Sequence, residues 1–256
     1  MKRIFCKRIL WICLMIFITA KSSGQKSDSL RLEKSTEHFN FYSTTKDANV
    51  LDTLALVLEN NYAKITGHLG ITLDKKTTVK VFPDLTSFHK AINTPDAPDW
   101  VVGSCMNNEL LMVSPLNPGS VHTFSSLLQV IVHEFAHLAV FYALDEKGIS
   151  TLPQWLSEGF AQYEAGQIND HIKRIVVSGF KKTAPPTWEQ LSSASMLEFG
   201  QMNGYAISVT IVEFLVNTYG MEKLVALLKA PEHIETIYGL SQENLEKQWI
   251  QYLGMN

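Results

Sequence analysis

The apolar positions of this chain fall into three regimes. An unbroken run occupies 9–20, short alternating segments surround one helical stretch as far as residue 113, and helical spacing dominates from residue 123. Residues 25–35 are polar and read as a loose lead-in. Residues 38–42 alternate apolar and polar, the period of an edge strand. Over 50–68, Leu51, Leu54, Ala55, Leu58, Tyr62 and Ile65 recur at helical spacing, with Gly70 as the stop. Residues 77–82 form a strand that Pro83 ends, and Asp84 caps a short helix over 84–92. After a loop at 94–99, residues 100–105 and 110–113 read as a hairpin turning through Asn107-Asn108. The remainder predicts helices at 124–144, 154–164, 170–179, 205–219, 221–228 and 242–252, with a short element at 188–191. Thr123 or His122 caps the first, residues 145–148 end it, Pro153 opens the second, and Gly220 stops the helix at 205–219. In the last helix Leu245, Trp249 and Tyr252 face inward. The pattern predicts an α+β fold: a small mixed β-sheet with helices in the N-terminal part, then a mostly α-helical C-terminal part. It divides the chain into residues 1–24, an α/β part at 25–120 that contains the hairpin, and a helical part at 121–256.

A hydrophobic fraction of 46% is ordinary for a globular chain and allows a sizeable core. Charge changes the picture once the first 24 residues are set apart. They hold five of the 22 basic residues and no acid, which leaves 17 basic against 25 acidic residues and a net charge of −8. No basic run remains, which argues against nucleic acid as a partner. The same 24 residues combine a basic start (Lys2, Arg3, Lys7, Arg8), a dozen apolar residues and Ser22-Ser23-Gly24. That is the layout of a secretory signal, with Gln25 as the mature start, and it predicts a secreted or periplasmic protein. A membrane anchor is the alternative if the segment stays uncleaved, since Lys21 interrupts the cleavage region. The apolar run is short of the roughly 20 residues that a spanning helix needs. Cys6 and Cys13 belong to this segment, so Cys105 is left single and reads as a half-buried small hydrophobe.

His133-Glu134-Phe135-Ala136-His137 lies inside the apolar stretch 124–144. Histidines four apart share one helix face about one turn from each other, so both imidazoles can reach one zinc ion. Glu134 directly follows the first histidine and can act as general base toward a water in the open coordination position. The bland alternative is a core helix with two hydrogen-bonded histidines. A catalytic zinc takes three protein ligands, so the third must come from another element. Glu158 is the first choice. A turn at Gly148 and a start at Pro153 can bring a second helix back, Gly159 permits close approach, and Trp155, Leu156, Phe160 and Ala161 supply a packing face. Glu164 is the competing ligand further along that helix. His38, His68, His89, His122, His171 and His233 are scattered and read as surface or capping residues, whereas Trp188, Phe199 and Trp249 read as core. No phosphate-binding Gly-rich loop and no Gly-x-Ser-x-Gly elbow occurs, which leaves kinase, dinucleotide and serine-hydrolase readings without support.

The two-histidine motif followed by Trp155-Leu156-Ser157-Glu158-Gly159-Phe160-Ala161 resembles the Glu-zincin metallopeptidases, in the thermolysin-like and aminopeptidase-like clan. The chain is also similar to short bacterial peptidase MA-like domains through Gly204-Tyr205-Ala206, Tyr219-Gly220 and Leu245-Glu246-Lys247-Gln248-Trp249. The likeness covers roughly residues 38–252. It implies a zincin fold and a zinc-dependent peptidase acting on peptide or protein substrates. It implies one catalytic Zn2+ held by His133, His137 and Glu158, with Glu134 as general base. Tyr205 is implied as donor to the tetrahedral oxyanion, and a plain core tyrosine is its other reading. Gln162, one turn after Glu158, stands where relatives place a partner for a ligand histidine. The hairpin edge at Val102, Gly103 and Ser104 is implied to bind the peptide backbone by strand addition. Aminopeptidases of the clan carry Gly-x-Met-Glu-Asn there. This chain has Gly103-Ser104-Cys105-Met106-Asn107, with no Glu after the Met. A zincin-fold binding protein of little turnover is the competing class, against which the intact Glu134 argues.

Overall fold

The computed structural model describes residues 29–144, 148–149 and 152–255. The expected signal segment at 1–24 and residues 145–147 of the expected helix stop lie outside these. Five strands form one sheet in the order β1-β2-β3-β5-β4. They are β1 (Arg31–Ser35), β2 (Phe39–Ser43), β3 (Thr77–Phe82), β4 (Gly103–Met106) and β5 (Glu109–Val113). β2, β3 and β5 run parallel, and β1 and β4 are antiparallel edges. β1 corrects, for residues 31–35, the reading of the stretch 25–35 as loose. It shows no apolar alternation because its residues are exposed or half-buried at the sheet edge, and its order comes from the ladder to β2. Charged residues on such an edge also discourage pairing with other chains.

β2 and β3 alternate as the sequence predicts, with Phe39, Phe41, Val79 and Val81 buried, but β2 pairs with β1 and β3 on its two sides and is an inner strand, not the expected edge. Phe39 meets Tyr62 of α1 (Leu51–Leu69) at 6.0 Å and Phe135 of α3 (Phe124–Ala143) at 5.3 Å. Phe135 belongs to the two-histidine motif, so its ring anchors the back of that helix to the sheet. Between them, Asp84 caps α2 (Leu85–Ala91) by accepting from the Ser87 N–H at 2.7 Å. The β4–β5 turn runs through Asn107 and Asn108, both in the left-handed region at φ 53° and 61°. That is the backbone of a two-residue hairpin turn, and asparagine tolerates it. Thr123 caps α3 in a capping box with Ser126.

The helices that follow include α4 (Gln154–Glu164), α5 (Asp170–Phe180), α6 (Trp188–Ser193), α7 (Met196–Gln201), α8 (Gly204–Tyr219), α9 (Met221–Lys229), α10 (Ile234–Tyr238) and α11 (Gln242–Tyr252). The sequence pattern did not predict α7 and α10, which are too short to show a period. α7 stands on a Ser195–Glu198 capping box. In α11 Leu245 and Trp249 are buried as expected, but Tyr252 is 37% exposed. Its hydroxyl donates to Glu213 and accepts from Asn217. A single apolar cluster runs from Phe39 to Trp249, so sheet and helices share one core.

Candidate metal centre

The site is built where α4 meets α3 and α8. Trp155, Leu156, Phe160 and Ala161 bury the packing face of α4. Gly159 lets it seat on α8, because a Cβ there would lie 2.5 Å from the Ser208 carbonyl oxygen. Glu158 is then turned toward the front face of α3. His133 Nε2 and His137 Nε2 lie 3.0 Å apart. Glu158 Oε2 lies 3.4 Å from the first and 3.6 Å from the second. Three corners of a tetrahedron with zinc-type bonds of about 2.0–2.2 Å are about 3.3–3.6 Å apart. Among the described residues, these three side chains are the cluster whose donor atoms converge in this way.

Glu158 Oε2 is sealed from solvent and receives no hydrogen bond. A buried carboxylate oxygen in that condition is costly. The Nδ1 of His133 lies 3.2 Å from Gln167 Oε1, and the Nδ1 of His137 lies 3.2 Å from Ser157 Oγ. An amide oxygen only accepts, so Nδ1–H of His133 donates and its Nε2 presents a lone pair to the centre. Donors packed this closely need positive charge among them, and the donor set of two imidazoles and one carboxylate fits a zinc ion.

Gln167 reaches His133 through the end of α4. Gly166 adopts φ +65° and the Gln167 N–H donates to the Gln162 carbonyl at 2.9 Å, which closes the helix and folds the chain back. Gln129 Nε2 donates to the Gly166 carbonyl at 3.0 Å and pins that loop to α3. Gln162, expected as the histidine partner, lines the same cleft, but the side chain bonded to His133 is Gln167. The helix stop Ala165-Gly166 signals the reversal in the sequence and not what Gln167 then meets. Glu164, the competing ligand, is elsewhere. It accepts from His68 Nδ1 at 2.7 Å and faces Lys64 Nζ at 3.3 Å, which ties α4 to α1.

Glu134 stands beside this cluster under β4. Gly103 allows the approach, since a Cβ there would lie 2.6 Å from Val130 Cγ1 and 2.9 Å from Glu134 Oε1. Burial pushes the Glu134 carboxyl up to about 7, with the charge of Glu158 adding to the rise and His133 and the Cys105 backbone opposing it. For Glu158 burial also acts upward, but the electrostatic attraction of His137 and His133 beside it outweighs this and holds it well below the usual carboxylate range. Two neighbouring carboxylates pushed apart in this way divide the work, one staying ionised and one able to carry a proton. The Cys105 thiol is pushed up to about 12 by burial and by Glu134, which leaves it unreactive as well as half-buried.

The donors open on a cleft of about 530 Å³ whose walls include Val102, Gly103 and Ser104 of the hairpin and Tyr205 of α8. Val102 is buried, and Gly103 and Ser104 are half-buried. The Tyr205 ring is held edge-on by Phe199 at 5.0 Å and by Trp100 at 6.3 Å. Burial, with Glu158 and Glu134, pushes its hydroxyl up to about 12, so it remains a donor at neutral pH. Several histidines read as surface residues have structural work. His89 is buried, with Nε2 donating to the Val101 carbonyl at 2.8 Å. His38 is half-buried against Tyr62 and bonds Glu59 at 2.6 Å.

A sheet whose edge strand lies over a two-histidine helix, with a carboxylate delivered by the next long helix, defines a class: the zincin-like peptidase domain. Residues 58–255 match the peptidase MA superfamily, and the chain belongs to that superfamily. At family level it is a peptidase-like hydrolase, and members are typically zinc-dependent. No curated protein matches the chain.

Proposed function

We propose that this protein is an exported, zinc-dependent peptidase of the Glu-zincin type. The observation that carries this is the buried, unpartnered Glu158 Oε2 facing two histidine Nε2 atoms, with Glu134 alongside. His133, His137 and Glu158 would hold the ion, and Gln167 and Ser157 keep the two imidazoles in line. Bound there, zinc supplies Lewis acidity to the scissile carbonyl and to the attacking water. Glu134 takes a proton from that water and passes it to the leaving amine; a carboxyl near neutrality serves both transfers. The free edge of β4 at Gly103 and Ser104, with Val102 just before the strand, holds the substrate as an added strand. Tyr205 donates to the developing oxyanion. The basic and apolar segment at 1–24 directs the chain out of the cytoplasm, which N-terminal sequencing of the exported protein tests: a start near Gln25 is expected.

The test of the reaction is Glu134→Gln. Zinc stoichiometry is expected to stay at that of the wild type while peptide hydrolysis falls about 10²–10⁴-fold. Zinc with no cleavage of any peptide by the wild type would leave a zincin-fold binding protein. Absence of stoichiometric zinc from the wild type would sink both readings.

A further inference from the structure

An exopeptidase binds a charged chain end, an α-ammonium or an α-carboxylate, beside the scissile bond. Either end needs a fixed counter-charge, because a desolvated, unpaired charge is strongly disfavoured. Among the described residues, no lysine or arginine lines this cleft, and its carboxylates are Glu134 and Glu158. Glu158 faces the histidines, and Glu134 lies at the reacting centre. Glu109, the acid of the hairpin, is paired with Lys80 on β3. Neither chain end finds a free partner.

The walls offer apolar surface instead. Trp100, Phe141 and Met196 line the cleft yet remain 44%, 39% and 65% exposed. Large apolar side chains left exposed around a concave site mark a binding surface. Trp100 is also held in place. His122 Nε2 donates to its carbonyl at 3.1 Å, His89 Nε2 donates to the next carbonyl at 2.8 Å, and its ring meets Tyr205 edge-on. Met196 adds an adaptable thioether to this rigid aromatic pair.

Resting on the peptidase reading above, we propose that the cleft takes an internal stretch of an extended polypeptide, with both ends outside. A large apolar or aromatic side chain near the scissile bond packs against Trp100, Tyr205 and Met196. The protein then acts as an endopeptidase on apolar segments.

The test uses the zinc-loaded protein and short peptides with Phe, Leu, Ser, Asp or Lys at the centre, each prepared with its ends acetylated and amidated and with its ends free. Mass spectrometry maps the cleaved bonds. Internal cleavage is expected, with kcat/KM for Phe or Leu about 10–200-fold above Ser. Cleavage confined to free-ended peptides, one residue at a time, overturns the proposal, and so does a preference for Asp or Lys. The same peptides are titrated into zinc-loaded Glu134→Gln. Tighter binding of the Phe and Leu peptides is expected there, and equal affinity for all five defeats the apolar subsite. Selective binding with no turnover by the wild type defeats the peptidase reading and keeps the subsite. A Trp100→Ala, Met196→Ser double variant changes two exposed side chains, so folding and zinc content are expected to hold. It should lose the Phe and Leu preference; a preference kept in full overturns the assigned wall.

Discussion

At the scale of single residues, each histidine of the candidate centre is steered by a neutral side chain, Gln167 for His133 and Ser157 for His137. A carboxylate in that place raises imidazole basicity, whereas an amide fixes orientation with less charge. Gln167→Ala is expected to weaken zinc binding about 10–100-fold, and Gln167→Glu to strengthen it beyond the wild type. Competition against a chelator of known affinity measures both, and unchanged affinity in Gln167→Ala removes the role given to that residue. For Tyr205, a hydroxyl pushed up to about 12 is protonated at every lower pH, so the donor is present throughout the neutral and mildly alkaline range. No loss of activity from this group is expected until the pH approaches that value. Tyr205→Phe should lower kcat about 10²–10³-fold with little change in KM. A rise in KM alone, with kcat intact, would make Tyr205 a wall residue only. The sequence revealed His133, Glu134 and His137 because a helix converts a spacing of four into one face. Gln167 was hidden, since its place depends on a positive-φ turn and on Gln129 of another helix.

Between elements, two glycines set the spacing that the site needs. A Cβ at Gly159 would lie 2.5 Å from a backbone oxygen of α8, which has no flexible end to move aside. Gly159→Ala is expected to cost about 1–3 kcal/mol and to lower Tm by about 2–12 °C. It should also weaken zinc binding, because Glu158 precedes it on the same turn; a melt and a metal titration indistinguishable from the wild type would show that α4 and α8 can separate freely. A second tie joins β2 to α1. Glu59 accepts from the His38 backbone N–H at 2.9 Å and bonds the His38 ring. Burial raises the Glu59 carboxyl, but these hydrogen bonds outweigh it and hold it below its ordinary value. A lowered carboxylate contributes stability above its unfolded pKa, about 4.3, and loses it as pH falls through the lower folded value. Glu59→Gln should therefore lower Tm at neutral pH and flatten its decline below about pH 5. Helices and inner strands were legible because burial imposes a period on them. β1, α7 and α10 were not, since an edge strand of charged residues and helices of a turn or so leave no period to read. Glu164 was ambiguous for a related reason: its helix position is clear, but only packing against α1 gives it Lys64 and His68 as partners.

Across the whole molecule, the site sits on the seam between the sheet and the helical part, and its donors come from two helices, α3 and α4. A zinc ion bound by both can exist in that geometry only while the fold is intact, so metal affinity becomes folding stability. Free zinc at a hundredfold excess over its Kd adds about 2.7 kcal/mol. In a domain of this size 1 kcal/mol moves Tm by about 2–4 °C, so a rise of about 5–11 °C is expected on saturation. A chelator should return the melt to its metal-free position. The variant that isolates the centre is His137→Ala, which leaves Glu158 and His133 with too few donors for tight zinc binding. Its melt should be indifferent to zinc across the same range. A shift equal to that of the wild type would place the ion at other residues, and a wild-type melt that zinc does not move would remove the metal centre from this fold. Stability serves here as a measure of the site that needs no substrate, so it can be read before any cleaved peptide is known.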